Sequence, residues 1–283
     1  MTYLWKSATA VLALTIAHPA YAAVCSADLP MRFYGNGPAA EVMVNGKGPF
    51  LFHIDTAASG MGRADLSLVK TLALRSTGQA EATDGSSDKF VLVDKYVLDE
   101  VRLGDMIVQR VSTTARDYNR TPHLPDIAGI LGFGFFKDCL LTLDYKAKRI
   151  RVRPGALPPA NRRDILEFKD DGGPFVAFSI GQVATSAIID SGSQLGVLLP
   201  TSMVKRLPLA SYRKTVGKGK TVTNEFDISE VMVQDTLAIG GYRIKKPTIN
   251  FAANFNEVVI GSAALQGLIL TFDQKNKRVR IKH

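Results

Sequence analysis

The same ordered set of short signals occurs twice along this chain, and a duplication on that scale restricts it to folds built from two similar halves. Ile130-Leu131-Gly132 corresponds to Val259-Ile260-Gly261 at an offset of 129 residues. At that same offset Leu141-Thr142-Leu143-Asp144 meets Leu270-Thr271-Phe272-Asp273, and Lys148-Arg149-Ile150-Arg151-Val152 meets Lys277-Arg278-Val279-Arg280-Ile281. Ile54-Asp55-Thr56 meets Ile189-Asp190-Ser191 at 135, as Gly46 meets Gly181. The difference falls in the middle of each half, where loops absorb changes of length. A unit this long is no solenoid repeat. Two domains packed about a pseudo-twofold axis are expected, with equivalent points facing one another across the join.

Within each half the local signals are those of short strands. Val44 leads into Asn45-Gly46, a pair that closes hairpins, and Phe50 to Ile54 is an apolar run suited to a strand buried on both faces. Ala64 to Leu74 has helical spacing at Leu66, Val69, Lys70 and Ala73. A polar stretch, Ser76 to Asp88, carries a turn tip at Asp84-Gly85; Phe90 to Val97 and Glu100 to Leu103 then return to strand character before Gly104-Asp105. Pro154 to Arg163 holds three prolines among polar residues and reads as a linker. The expected organisation is a signal peptide over 1–22, an N-terminal lobe over 23–155, a linker over 156–164 and a C-terminal lobe over 165–283.

The amino terminus reads as an export signal. Lys6 precedes an apolar run from Ala8 to Ala17, and Ala20-Tyr21-Ala22 offers small residues for cleavage before Ala23. A periplasmic or secreted protein with no membrane-spanning segment after cleavage is expected. Such a compartment permits a bridge between Cys25 and Cys139, the two cysteines, with two free thiols as the alternative. With 46% apolar and 22% charged residues the chain is globular rather than disordered. Its net charge of +9 suits anionic surfaces, but the basic residues lack interleaved aromatics, so no nucleic-acid partner is expected.

The chemistry centres on Asp55 and Asp190. In each copy an apolar strand runs into a carboxylate, then a hydroxyl residue, then small residues that permit a sharp turn. Two carboxylates held within hydrogen-bond reach share one proton, and such a pair acts as acid and base together. No His-Glu-x-x-His is present and the four histidines, His18, His53, His123 and His283, are scattered, so no metal and no cofactor are expected. Gly-x-Ser-x-Gly is absent as well. Gly132-Phe133-Gly134 lacks the third glycine of a dinucleotide loop, with Lys137 in its place.

These residues carry a resemblance. Apolar-Asp-Thr/Ser followed by small residues after a buried strand, with a later apolar-apolar-Gly, is similar to the pattern of the pepsin and retropepsin aspartic proteases, from about Glu41 to the C-terminus. The chain resembles a two-lobed, single-chain version of the bacterial retropepsin-like type. The resemblance implies an all-β fold of two barrel-like lobes and a monomer that hydrolyses peptides or proteins with a water held between Asp55 and Asp190. It implies that Thr56 and Ser191 lock the two active-site loops together, with Ala57 and Gly192 beside them. It places flap hairpins around Asp84-Gly85 and Gly217-Lys218-Gly219, and a substrate pocket near Ile188. His53 falls on the same side of its strand as Asp55, which suits either a pocket residue or a hydrogen-bonded core histidine. Ala57 stands where the family has glycine, costly wherever the turn needs a positive φ. A peptide-binding protein of this fold without catalysis is the alternative that Ala57 motivates.

Overall fold

A computed structural model of the chain describes residues 24–83, 90–119, 124–220, 225–253 and 255–283. The expected signal segment and the Asp84-Gly85 tip lie outside the described residues. The fold is all-β, in two sheets with only short helical turns. No helix among the described residues is long and apolar enough to cross a membrane.

The first half builds an eight-stranded sheet from residues 32–132. Its central hairpin, Gly37–Val44 with Lys47–Asp55, turns on Asn45 (φ 50°) and Gly46 (φ 73°), two adjacent left-handed residues that suit the twist of the flanking strands. The expected helix is shorter than its apolar spacing suggested. Gly62–Asp65 is a strand, and the Asp65 side chain then caps Leu66–Thr71 by accepting the Ser67 N–H at 2.7 Å. The two segments expected around Phe90 to Leu103 form one continuous strand, Val91–Leu103.

The second half repeats the plan. Val183–Asp190 pairs in parallel with Val258–Gly261, as Lys47–Asp55 does with Gly129–Gly132. What joins the halves is a run of shared strands. Leu140–Asp144 pairs antiparallel with Ile269–Asp273, and the register places Thr142 directly opposite Thr271, its own counterpart in the duplication. Their hydroxyls hydrogen-bond at 2.9 Å. Any residue that faces its own duplicate lies on the symmetry axis, so the pseudo-twofold passes between these two threonines.

The core is continuous across that join. Phe133 of the first half lies 5.6 Å, ring to ring, from Phe272 and 5.9 Å from Phe168 of the second. The segment between the halves is docked as well. The Leu157 N–H donates to Asp273, and the Leu157 carbonyl accepts from Arg278.

At the amino end Ala27–Pro30 adds a strand beside Arg149–Arg153, where the Asp28 carboxylate meets Arg149, Arg151 and Arg153. Cys25 and Cys139, 114 residues apart, are joined by a disulfide with their Cα atoms 5.6 Å apart. A crosslink over a loop that long constrains the unfolded chain strongly. Replacing both cysteines with serine is expected to cost about 2–5 kcal/mol, measured by urea unfolding of the variant against the oxidised protein.

Candidate active site

Each aspartate sits where a strand buried on both faces meets a tight loop. Asp55 pairs in register with Gly132, and Asp190 with Gly261. Those glycines are dictated by the loops beside them. A Cβ on Gly132 would come within 2.8 Å of the Ala58 carbonyl oxygen, and one on Gly261 would overlap that of Leu195. The apolar-apolar-Gly signal is therefore the floor on which each Asp-bearing loop rests.

The loops hold their carboxylates in the same way. Oδ1 of Asp55 accepts the N–H groups of Ala57 and Ala58 at 2.8 and 2.9 Å; Oδ1 of Asp190 accepts those of Gly192 and Ser193 at 2.8 and 3.1 Å. Ala57 does not need the left-handed conformation and is absent from the residues with positive φ. Its amide does what the Gly192 amide does, and its methyl belongs to the wall formed with Ile188, Leu198, Ala252 and Val259. Position 192 has no such latitude, because a Cβ there would overlap the Asp55 carboxyl.

Between the loops lies a reciprocal lock. The Ser191 hydroxyl accepts the Thr56 N–H at 3.0 Å and donates to the Ile54 carbonyl at 2.8 Å. The Thr56 hydroxyl accepts the Ser191 N–H at 3.0 Å and donates to the Ile189 carbonyl at 2.6 Å. Both residues are fully buried. Each hydroxyl thus satisfies one donor and one acceptor of the opposite half, and this brings the two carboxyl groups together across the axis.

The two carboxyls line the same cavities and interact, and their electrostatics follow from the enclosure. Burial, reinforced by the negative charge of Asp55, pushes the Asp190 carboxyl up to about 8, against the pull of the Gly192 and Ser193 amides. Asp190 therefore keeps its proton at neutral pH. Ser262 and Tyr145, which the sequence did not single out, buttress the second loop. The Ser262 hydroxyl donates to the Ser191 carbonyl at 2.7 Å and lies 3.2 Å from the Tyr145 hydroxyl.

His53 is 3% exposed, with its ring 5.0 Å from that of Tyr34. Burial lowers its pKa, while the Asp55 charge and the Ser191 backbone pull the other way. Its Nε2 has no hydrogen-bond partner. Any Cβ at Gly37 would overlap that nitrogen, so Gly37 is the space in which the imidazole fits.

The two carboxyls lie at the meeting point of two cavities. One, of about 530 Å³, extends along Ala58, Arg63, Arg116 and Phe175; the other, of about 800 Å³, along His53, Leu124, Leu195 and Phe226. Ile188 lines the first. The hairpin Lys214–Lys220 with Glu225–Met232, which contains Gly217-Lys218-Gly219, borders the second through Lys218, Gly219, Glu225 and Phe226. In the first half the hairpin of Gly78–Ala82 with Val91–Leu103 brings Thr83 to the rim of the smaller cavity. No cluster of potential metal ligands occurs among the described residues.

A duplicated β fold with one carboxylate from each half in a shared cleft defines the two-lobed, retropepsin-like class of acid protease fold. The aspartyl protease family model matches residues 40–135 and again residues 176–278, once over each half, and the chain belongs to that family. No curated protein matches it.

Two measurements probe this arrangement. Thr56→Ala strands the buried Ser191 N–H and is expected to cost about 1–3 kcal/mol in urea unfolding, whereas Thr56→Ser keeps the hydroxyl and most of the stability. Asp190 gives a pH signature with a definite sign. Because its folded pKa is raised from 3.8, the unfolded chain releases this proton first, and the native state loses stability as pH climbs from about 4 to about 8. Calorimetry across that window is expected to show Asp190→Asn gaining in Tm over the wild type as pH rises.

Proposed function

We propose that this protein is an aspartic endopeptidase that hydrolyses peptide bonds with a water activated by Asp55 and Asp190. The observation that carries the reading is that one carboxyl from each half lines both of two adjoining cavities, each wide enough for side chains on either side of a scissile bond. Family membership supports it.

The raised Asp190 pKa supports a division of roles. Asp190 holds the proton and donates it towards the scissile carbonyl oxygen, while Asp55 takes a proton from the water as its oxygen bonds to the carbonyl carbon. In the resulting tetrahedral diol the carbon–nitrogen bond then breaks. The proton held by Asp55 passes to the leaving nitrogen, and a diol proton returns to Asp190 as the carboxyl product forms. The protein supplies positioning, a water held between two acids, and an environment that keeps one of them neutral. Ala57 fits this chemistry, since its backbone amide supports Asp55 as a glycine amide would.

The Cys25–Cys139 disulfide supports an oxidising compartment, in keeping with periplasmic or secreted location after removal of residues 1–22. The two hairpins that border the cavities suit flaps over a bound peptide, one from each half, and a monomer suffices because one chain carries both acids.

Digestion of a peptide library is expected to yield defined cuts that Asp55→Asn and Asp190→Asn each abolish, with circular dichroism unchanged. A folded wild type that leaves every peptide intact from pH 3 to pH 8 removes the reading. The rate is also expected to fall on the alkaline side as pH passes about 8, where Asp190 loses its proton.

A further inference from the structure

The pseudo-twofold axis makes each position in one half a control for its counterpart in the other, and along the cleft one pair of positions disagrees in charge. In the first half Gly62–Asp65 pairs in parallel with Met106–Arg116, with Arg63 opposite Thr114 and Asp65 opposite Arg116. In the second half Val197–Pro200 pairs in parallel with Thr248–Ala252, with Leu198 opposite Asn250 and Pro200 opposite Ala252. Arg63 also faces Ile130 as Leu198 faces Val259. Arg63 therefore stands where the second half has Leu198, and Arg116 where it has Ala252.

The second-half positions are apolar to their surroundings. Leu198 and Ala252 form one buried cluster with Ile188 and Val259, backed by Phe226 and Phe255. The first-half positions present two guanidinium groups. Arg116 lies two residues beyond Thr114, the in-register neighbour of Arg63, so the two arginines share one side of the sheet. Both line the smaller cavity with Asp55 and Asp190.

Neither arginine is satisfied by the protein. Nη1 of Arg116 is buried without a hydrogen-bond partner, while its Nε and Nη2 both donate to the Tyr118 hydroxyl at 3.3 Å. The guanidinium also lies 5.4 Å from the Tyr118 ring centre. Among the described residues Arg63 donates only to the carbonyl of adjacent Gly62, at 3.1 Å.

The carboxylates that could have answered them are engaged or out in water. Asp65 is held by the amides of Ser67 and Tyr118, and Asp171 by Lys169 at 2.7 Å. Glu257 is exposed at the rim. Asp55 and Asp190 are held by their own loops and by each other. Among the described residues neither arginine forms an ion pair. A buried guanidinium donor without an acceptor is costly, and its planar fork matches a carboxylate.

We propose that Arg63 and Arg116 form a specificity subsite for an acidic side chain of the substrate, and that the opposite, apolar side of the cleft takes a bulky apolar residue. The preferred substrate is then a peptide with Asp or Glu on one side of the scissile bond and a residue such as Leu or Phe on the other. The placement of the peptide rests on the proteolytic reading above; the charge preference is a property of the cavity and is measurable without cleavage.

The experiment uses peptides that differ only by Glu against Gln, moved one position at a time across the cut sites found with the library. Wild-type protein is expected to favour Glu at one position by at least about tenfold in kcat/KM, the scale of one charge-assisted hydrogen bond. Arg63→Gln and Arg116→Gln are each expected to bring that ratio towards one. Binding of the same peptides, fluorescently labelled, to Asp190→Asn protein gives a second readout, with a Kd ratio of similar size expected.

Equal kcat/KM and equal Kd for Glu and Gln at every position overturn the proposal while leaving proteolysis standing. Tighter binding of the Glu peptide by a protein that cuts nothing upholds the subsite and removes the protease. A ratio that persists undiminished in both arginine variants, each shown to be folded, also overturns it.

Discussion

Four hydrogen bonds between Thr56 and Ser191 and the backbone of the opposite half are the interaction on which the site depends. They lie at the bottom of the cleft, beneath the carboxyls. Each hydroxyl accepts from an amide and donates to a carbonyl of the opposite half, at the end of the strand that delivers the acid. Without the lock the two Asp-bearing loops would still exist, yet no hydrogen bond between the Thr56 and Ser191 loops would hold their separation. Two acids sharing a proton is a distance-sensitive arrangement, and these four bonds set the distance.

The remainder of the architecture serves to deliver those loops. Parallel pairing with Gly129–Gly132 and Val258–Gly261 buries each delivering strand on both flanks. The shared strands around Thr142 and Thr271 hold the axis at a second place, and Phe133 packs against Phe272 across the join. The axis is thus pinned at two heights, by hydroxyl pairs in both cases.

Much of this was legible in the sequence, because duplication leaves a record that survives without any second protein for comparison. The offsets of 129 and 135 placed Asp55 opposite Asp190 and Thr142 opposite Thr271, and the all-β class followed from the strand signals. Legibility failed where tertiary contact overrides local preference. Ala64 and Asp65 carry helical spacing but belong to a strand, because pairing with Ala115 and Arg116 competes successfully with one more turn of helix. Ser262 and Tyr145 gave no sign, since their partners lie 71 and 117 residues away. Arg63 and Arg116 belong to no sequence motif. Setting Arg63 against Leu198 at the offset of 135 would have exposed the mismatch, and only the sheet register could have done so for Arg116.

The fused sheet has an evolutionary corollary. A symmetric dimer built from identical halves must display every substitution on both sides of its axis, so an alanine that fits beside one acid would also collide with the other. Joining the two copies in one chain lifts that restriction. In one chain Ala57 can stand as the counterpart of Gly192, and a cationic wall as the counterpart of an apolar one.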